Sequence, residues 1–244
     1  MRTTIRSLGV IALAALAVVA QGGAQVKVEV TPFAGRYAPT EDLIPVGRLP
    51  LPAHVRQQAG LAFGGRVTAW LTDRFAIEGA YGYSGRGAAQ TTFQPLEAIY
   101  PCCAAGTSDT TGDTWMVSAR VLFLISGRPS STAVYILAGP AYVGHGDPAF
   151  DIMYASHNTV GMTVSSPGAV VGIGARFKVP KTALALRTDL EYYRYDAPFS
   201  ARFSGQFLPR GVPVSWSGSQ VQNDLLLSLG LSVHPSDGPS ARQR

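Results

Sequence analysis

The chain is poor in charge, because only 14% of its 244 residues are Asp, Glu, Lys or Arg, against about 25% in soluble globular domains. Long apolar runs are also scarce. After residue 24 no segment approaches the roughly 20 consecutive apolar residues that a membrane-spanning helix needs. A bundle of transmembrane helices is therefore excluded, and a soluble secreted β-sandwich remains a competing class at this point.

Cysteine is scarce and its placement rules out a disulfide framework. Cys102 and Cys103 are adjacent, so they cannot form a long-range bridge within the chain. In an oxidising compartment they form a strained vicinal disulfide, remain thiols or pair between chains. No histidine lies near them in sequence, and we expect an incidental or local structural role.

Patterns of catalytic, cofactor-binding or metal-binding residues are missing. His145 and His157 share a long loop with Asp147 and Asp151, but this spacing differs from ordered metal-ligand motifs. No glycine-rich phosphate loop and no recognisable carboxylate pair occur. The net charge of +5 is not organised into a basic helix or an aromatic-basic module. We therefore expect no enzyme, no cofactor, no metal and no nucleic-acid partner.

The N-terminus is organised like a secretory signal peptide. Arg2 and Arg6 precede an apolar run over residues 8–20, and small residues follow. The run is too short to span a bilayer as a helix, although a retained membrane anchor stays open as the alternative. We expect cleavage after Ala24 rather than Ala20, so that residues 1–24 form a signal peptide. No cysteine stands at either site for a lipid anchor.

What the chain has in abundance is alternation of apolar and polar residues. Between residues 61 and 84 one set is apolar, aromatic or glycine, whereas the other contains Arg66 and Glu78. A period of two is typical of β-strands, and the break at residues 72–74 predicts a hairpin that brings Arg66 opposite or diagonal to Glu78. The pattern recurs and predicts eight strands, at residues 26–37, 61–71, 75–84, 114–125, 133–143, 168–179, 183–195 and 224–234.

The connections between these strands alternate in length. Three are short, at 72–74, 126–132 and 180–182, and the other four run to roughly twenty residues or more. This alternation is typical of outer-membrane barrels. We therefore predict an all-β fold, an eight-stranded antiparallel up-and-down transmembrane β-barrel over residues 25–234, with ten strands as the alternative count.

The same pattern predicts how the chain is placed. With an even strand number, both termini lie on the short-turn side, which is periplasmic in the cell outer membrane. The first long loop is rich in proline and is predicted to be irregular. Residues 149–165 and 199–222 are predicted to extend strands beyond the membrane. Residues 235–244 are predicted to form a disordered tail.

The face that carries the charges is the predicted interior. An eight-stranded barrel has a narrow lumen that its own side chains fill, and buried charges have to be paired. Positive and negative charges are nearly balanced, so we predict a structural network that plugs the lumen, with Asp224 as a further candidate. Its predicted members are Glu29, Arg66, Glu78, Arg120, Arg176, Lys178, Arg187, Asp189 and Glu191.

Aromatic residues recur eight positions apart on the opposite face. Phe75 and Tyr83 are one such pair, and Trp115 and Phe123 are another. At about 3.3 Å per residue and a tilt of about 40°, eight residues rise roughly 20 Å, close to the height of the apolar band of a membrane barrel. We predict aromatic girdles at the two membrane interfaces, formed by Phe75, Tyr83, Trp115, Phe123, Tyr135, Phe177 and Tyr192.

Four segments resemble the small outer-membrane β-barrels, the superfamily around the OmpA transmembrane domain, OmpX and OmpW. They are residues 28–35 (VEVTPFAG), 71–79 (LTDRFAIEG), 135–139 (YILAG) and 224–232 (DLLLSLGLS). The resemblance covers essentially the whole mature chain and implies an architecture. It assigns no activity to a particular residue, because similar barrels serve as anchors, adhesion proteins and small hydrophobic-solute channels. One departure is the tail after residue 234, where members of the group usually end in an aromatic residue.

The expected function is non-enzymatic: structural anchoring, or surface binding through long extracellular loops. A narrow channel for small solutes is the alternative, and a lipid-modifying enzyme ranks third. The expected partners are outer-membrane lipid, lipopolysaccharide, the outer-membrane assembly machinery and an extracellular ligand. Basic residues in the loops are interpreted first as a solvated surface, with attraction of the phosphates of lipopolysaccharide as the alternative.

Overall fold

The computed structural model describes residues 27–44, 53–93, 106–126, 131–145, 150–151, 159–161, 164–203 and 214–233. The predicted signal peptide, both cysteines and the predicted tail lie outside the described residues. Across the described ranges, no helix is long and apolar enough to cross a bilayer.

Twelve strands occupy the described residues, and eight of them are long. The long strands are β1 (Lys27–Pro39), β4 (Gly60–Trp70), β5 (Phe75–Phe93), β6 (Gly106–Leu124), β7 (Thr132–His145), β10 (Val164–Lys178), β11 (Leu184–Phe203) and β12 (Val214–Val233). The short strands are β2 (Asp42–Ile44), β3 (Ala53–Gln57), β8 (Phe150–Asp151) and β9 (Thr159–Gly161).

The eight long strands form a closed antiparallel ring, which confirms the predicted eight-stranded barrel. Each long strand pairs with the next one along the chain, and β12 pairs with β1 to close the ring. Following paired residues once around the ring from Gly60 leads back to β4 at Trp70, a displacement of ten residues. This stagger tilts the strands by about 40° and leaves an interior that side chains can fill.

The connections of the ring are short at one end and long at the other. Residues 71–74, 125–131 and 179–183 make the three short ones. Lys27 pairs with Trp70, and Val233 pairs with Leu184. The first and last described residues therefore lie at the end that carries the short connections, which we call the turn end. We call the opposite end the loop end.

At the loop end two strand pairs continue beyond the ring. β5 and β6 remain paired as far as Phe93 and Gly106, and β11 and β12 as far as Phe203 and Val214. The extension of the last hairpin agrees with the prediction. The first long loop was predicted to be irregular, and this prediction is wrong, because the loop contains β2 and β3, and β3 pairs with β5. Its prolines flank these two strands rather than interrupting them, so they leave the backbone N–H groups of both strands free to pair.

The outer face of the ring is apolar and the inner face holds the charges, the inverse of a soluble domain. Exposed apolar side chains on every wall form a continuous belt of the kind that faces lipid. Members of the belt are Val30, Leu61, Phe63, Val67, Ile77, Val121, Ile136, Val171, Ile173, Leu186, Leu190, Leu227, Leu229 and Leu231.

Aromatic side chains border this belt at the turn end. The rings of Phe75 and Phe123 lie 5.0 Å apart between centroids, on positions that pair directly across β5 and β6. Phe177 is exposed near the turn end of β10. These three residues take the positions that a girdle at the turn end requires.

A second aromatic group lies toward the loop end. Tyr83 pairs with Trp115 across β5 and β6, and the Trp115 ring lies 5.9 Å from the ring of Tyr142 on β7. Tyr192 lies on the outer face of β11 and donates a hydrogen bond to the Asn223 side chain. Of these four residues, Tyr142 is the one that the sequence pattern did not assign to the girdle.

Tyr135 was assigned to the girdle, and that assignment is wrong. Its side chain is 1% exposed and points into the lumen, while the neighbouring Ile136 is 48% exposed. The inward positions of β7 include Leu137 and Val143, and the outward ones include Ile136 and Tyr142. Because both faces of this strand are apolar or aromatic, alternation gives no signal that separates them.

A charge in the middle of the apolar belt is expected to be costly. Ile173 is 49% exposed on β10, and Ile173→Lys should destabilise the barrel in lipid by about 2–3 kcal/mol because it places a cation near the bilayer midplane. Equilibrium urea unfolding in lipid vesicles measures this cost. Val179→Lys, beside the turn end and 39% exposed, is the matched control and should cost about 0–1 kcal/mol. Equal costs at the two positions would contradict the assignment of this face to lipid.

Candidate functional site

Six charged side chains meet in the lumen and balance one another, three cations against three anions. We call them the lumen network. Its members are Arg66 on β4, Glu78 on β5, Arg120 on β6, and Arg187, Asp189 and Glu191 on β11. Each is at most 3% exposed.

Glu78 is one centre of the network. The register of β5 and β6 places Glu78 directly opposite Arg120, whose Nε donates to Glu78 Oε1 at 2.8 Å. Arg187 reaches Glu78 from the opposite wall of the barrel and donates to both carboxylate oxygens, at 3.1 Å for Oε1. Thr68 on the neighbouring β4 donates a further hydrogen bond to the Glu78 carboxylate.

Asp189 and Glu191 form the second centre. Arg66 lies 2.7 Å from a Glu191 oxygen and 3.2 Å from an Asp189 oxygen. Arg120 lies 2.8 Å from the other oxygen of Glu191. Arg187 Nε donates to Asp189 at 2.9 Å, so the two centres are joined.

The hairpin register confirms the predicted diagonal placement of Arg66 and Glu78, but the ion pairs of Arg66 lie elsewhere. The hairpin register places Thr68, not Arg66, opposite Glu78. Arg66 instead crosses the lumen to Asp189 and Glu191 on β11. The cause is the narrow barrel, in which a long side chain reaches the far wall as easily as its neighbour along the sheet.

Hydroxyl and aromatic groups complete the network. Tyr135 donates to Asp189 at 2.5 Å, and its ring lies 5.0 Å from the Arg187 guanidinium carbon. A side chain on Gly174 would collide with Tyr135, so this glycine gives the tyrosine room to cross. Arg66 stacks over the Phe33 ring at 4.0 Å, a favourable cation–π contact.

The network spans the lumen between walls that face each other. A buried charge is tolerable only when it is paired and hydrogen-bonded, and here each cation contacts at least two anions. The linked side chains come from β4, β5, β6 and β11, so they tie walls that are not neighbours in the ring.

A further ion pair lies nearer the turn end. Arg176 on β10 contacts Glu29 on β1 at 2.9 Å, and both are buried. Lys178 was also assigned to the lumen from its position in the alternation, and that assignment is wrong. Lys178 is the last residue of β10 and its side chain is exposed, because the strand leaves the ring at that point.

A second polar group, which we call the mouth cluster, lies in the lumen toward the loop end. Tyr37 and Tyr195 both donate to one carboxylate oxygen of Asp224, the latter at 2.6 Å. His145 Nε2 lies 2.9 Å from the Tyr195 hydroxyl, and His145 Nδ1 lies 3.2 Å from Thr114 Oγ1. The cluster therefore connects β1, β12, β11, β7 and β6 by hydrogen bonds.

The mouth cluster also holds the first loop against the barrel. Gln57 at the end of β3 donates from its side chain to Thr114. Gln222 donates to the backbone carbonyl of Asp42 on β2 at 3.1 Å. The sequence pattern missed this cluster apart from Asp224. The inward position of Tyr195 was predictable, because Tyr195 lies an even number of residues after the inward-facing Glu191 on the same strand.

The part of the chain that the structure describes contains no group of three or more His, Cys, Asp or Glu side chains arranged to hold a metal ion. His145 is engaged in the mouth cluster. His157, His234, Cys102 and Cys103 lie outside the described residues.

No family model and no curated protein matches the chain. Among solved structures, OprG from Pseudomonas aeruginosa is 12% identical and superposes with a TM-score of 0.58 over 88% of this chain and 98% of its own. AlkL in lipid bilayers is 19% identical over 90% of this chain and 95% of its own, with a TM-score of 0.47. At these identities the likeness establishes the fold, and the OprG superposition carries it: the chain has the fold of a small outer-membrane β-barrel.

Proposed function

We propose that the protein is an outer-membrane protein whose closed barrel is a non-enzymatic anchor and whose strands at the loop end bind a ligand outside the cell. The observation that carries the proposal is the lumen network, because its ion pairs link opposite walls of the barrel across the lumen. The alternative function, a narrow solute channel, would require a continuous polar path past these pairs.

Three observations support the outer-membrane location. The exterior is an apolar belt bordered by aromatic residues. The fold is shared with OprG, and the sequence predicts a signal peptide over residues 1–24. In this placement the turn end and both termini face the periplasm. The belt contacts membrane lipid, lipopolysaccharide surrounds the loop end, and the assembly machinery inserts the strands.

The strand extensions at the loop end support a role in surface binding. β5–β6 and β11–β12 stay paired beyond the level of the mouth cluster, and β3 and β9 add to these pairs. A paired extension holds the backbone of these strands in a fixed arrangement above the membrane, which an irregular loop does not. The ligand is therefore proposed to bind this structured surface rather than the lumen.

The mature chain refolded into planar lipid bilayers is expected to give no stepwise conductance at neutral pH, because ion flow requires separation of the buried pairs. The double variant R66A/E191A removes one pair that crosses the lumen and should show brief openings. Heat-modifiable mobility on gels verifies that both samples contain folded barrels. A steady conductance from the unmodified chain would contradict the closed anchor and support the channel. Recovery of the protein only in the soluble periplasmic fraction would contradict the location.

A further inference from the structure

Two arginines lie on the lipid-facing side of the barrel, where the belt is otherwise apolar. Arg36 follows Val30 and Ala34 on the outward face of β1, and Arg194 follows Tyr192 on the outward face of β11. Both arginine side chains are exposed. Within the described part of the chain, neither forms an ion pair. A cation that faces lipid without a protein partner is stable only where anionic head groups are within reach.

The two arginines lie at nearly the same height, at the loop-end border of the belt. β12 separates β1 from β11, and pairing leads from Arg36 through Leu227 to Leu190. Because the stagger of the ring lowers paired positions by about one residue per strand, Arg36 is level with Tyr192, just below Arg194. With strands about 4.8 Å apart and about 3.3 Å per residue, the two arginine backbones lie on the order of 15 Å apart along the surface.

A neutral hydrogen-bond donor lies between them. Asn223 on β12 pairs with Arg194, and its side-chain oxygen accepts a hydrogen bond from Tyr192. This bond orients the amide so that its NH₂ group is available as a donor. Asp196 follows Arg194 on the same face, two residues nearer the loop end, so it lies above both arginines.

A shallow apolar groove lies on the same three strands toward the turn end, two to four residues below Arg36 on β1 and eight residues below Arg194 on β11. It has a volume of about 330 Å³ and its walls include Pro32 and Ala34 of β1, Leu229 and Leu231 of β12, and Leu186 of β11. Pro32 cannot donate a backbone hydrogen bond to β12. The groove therefore lies in the part of the belt that acyl chains contact.

We propose that Arg36, Asn223 and Arg194 bind the two phosphate groups of a lipid A molecule in the outer leaflet, one phosphate at each arginine, with one of its acyl chains in the groove. Charge complementarity selects an anionic head group, and the separation of the arginines selects a head group that carries two phosphates. This inference rests on the proposed outer-membrane location and assigns residues to the lipopolysaccharide contact.

Native mass spectrometry of the refolded mature chain in nanodiscs of neutral phospholipid, titrated with bis-phosphorylated lipid A, tests the site. We expect R36Q and R194Q each to weaken lipid A retention roughly fivefold, and the double variant about 25-fold, from about 1 kcal/mol for each arginine near the surface. Arg74 is an exposed arginine at the turn end, and R74Q is the matched control that should leave retention unchanged.

Two other lipids test whether the site is specific for lipid A with two phosphates. Lipid A with one phosphate removed should bind to the unmodified chain about fivefold more weakly and lose its response to one of the two arginine variants. Phosphatidylglycerol should respond weakly to all variants. Unchanged lipid A retention in the double variant, or an equal loss of phosphatidylglycerol, would overturn the assignment. Because binding is measured in nanodiscs, it is independent of cell fractionation, which tests the location by itself.

Discussion

Replacing Glu78 with glutamine is expected to lower the stability of the barrel by about 3–5 kcal/mol. The carboxylate receives hydrogen bonds from Arg120, Arg187 and Thr68 while it is 3% exposed. Glutamine keeps the shape of the side chain but removes the charge, so the lumen network is left with three arginines and two carboxylates. An uncompensated buried charge has a cost of this size. Equilibrium urea unfolding of the refolded chain in lipid vesicles measures it.

Two further variants make this test specific. Glu41 is exposed at the loop end, and E41Q should change the stability by no more than about 0.5 kcal/mol. The double variant E78Q/R120M restores the balance of charge and should cost less than the sum of the two single variants, with a coupling of about 0.5–3 kcal/mol. If E78Q costs no more than E41Q, the lumen network does not hold the barrel together.

The barrel was predictable because membrane and lumen impose opposite chemistry on alternate residues. Strands such as β11 carry Arg187, Asp189 and Glu191 on one face and Leu186 and Leu190 on the other, so their phase is unambiguous. The ends of β5 and β6 at the loop end were not predictable in the same way. Beyond the membrane both faces meet water, and the alternation that marks β5 and β6 disappears although the backbone pairing continues.

β7 shows the limit of the same argument. Its inward side chains toward the turn end, Tyr135 and Leu137, pack in the lumen beside the charged residues rather than carrying charges themselves. Where a strand contributes apolar residues to both faces, only the pairing with its neighbours fixes which face is inward. The sequence pattern placed Tyr135 on the lipid-facing side. In the structure its side chain lies in the lumen, where it contacts Asp189 and Arg187.

The members of the lumen network were predictable, but their partners across the lumen were not. Pairs such as Glu78 and Arg120 follow from the register of adjacent strands. Contacts across the lumen, such as Arg66 with Glu191, depend on the displacement of ten residues at ring closure. No local pattern in the sequence encodes that displacement, because it is fixed only when the first and last strands meet.

Gly64→Leu is expected to be more damaging than any belt substitution, with a cost of at least about 4 kcal/mol or failure to form the barrel. Gly64 is an inward position on β4 beside Phe33, whose ring lies under Arg66. A Cβ at Gly64 would lie 2.1 Å from the Tyr81 carbonyl oxygen and 2.4 Å from the Phe33 ring. Overpacking a core by single methylenes already costs about 1–3 kcal/mol, and here backbone and ring both have to move. Folding yield on gels and urea unfolding in vesicles measure the effect.

The neighbouring glycine provides the matched control. Gly65 lies on the outer face, and a Cβ there meets no atom within 4 Å. Gly65→Leu places an apolar side chain in the belt, where lipid accepts it, so the stability should stay within about 0.5 kcal/mol of the unmodified chain. The two substitutions share chemistry, strand and sequence position to within one residue, and they differ only in the face of the sheet. Similar costs at the two positions would contradict the placement of Gly64 toward the lumen and Gly65 toward lipid. The inner and outer faces assigned to the hairpin of β4 and β5 would then be wrong.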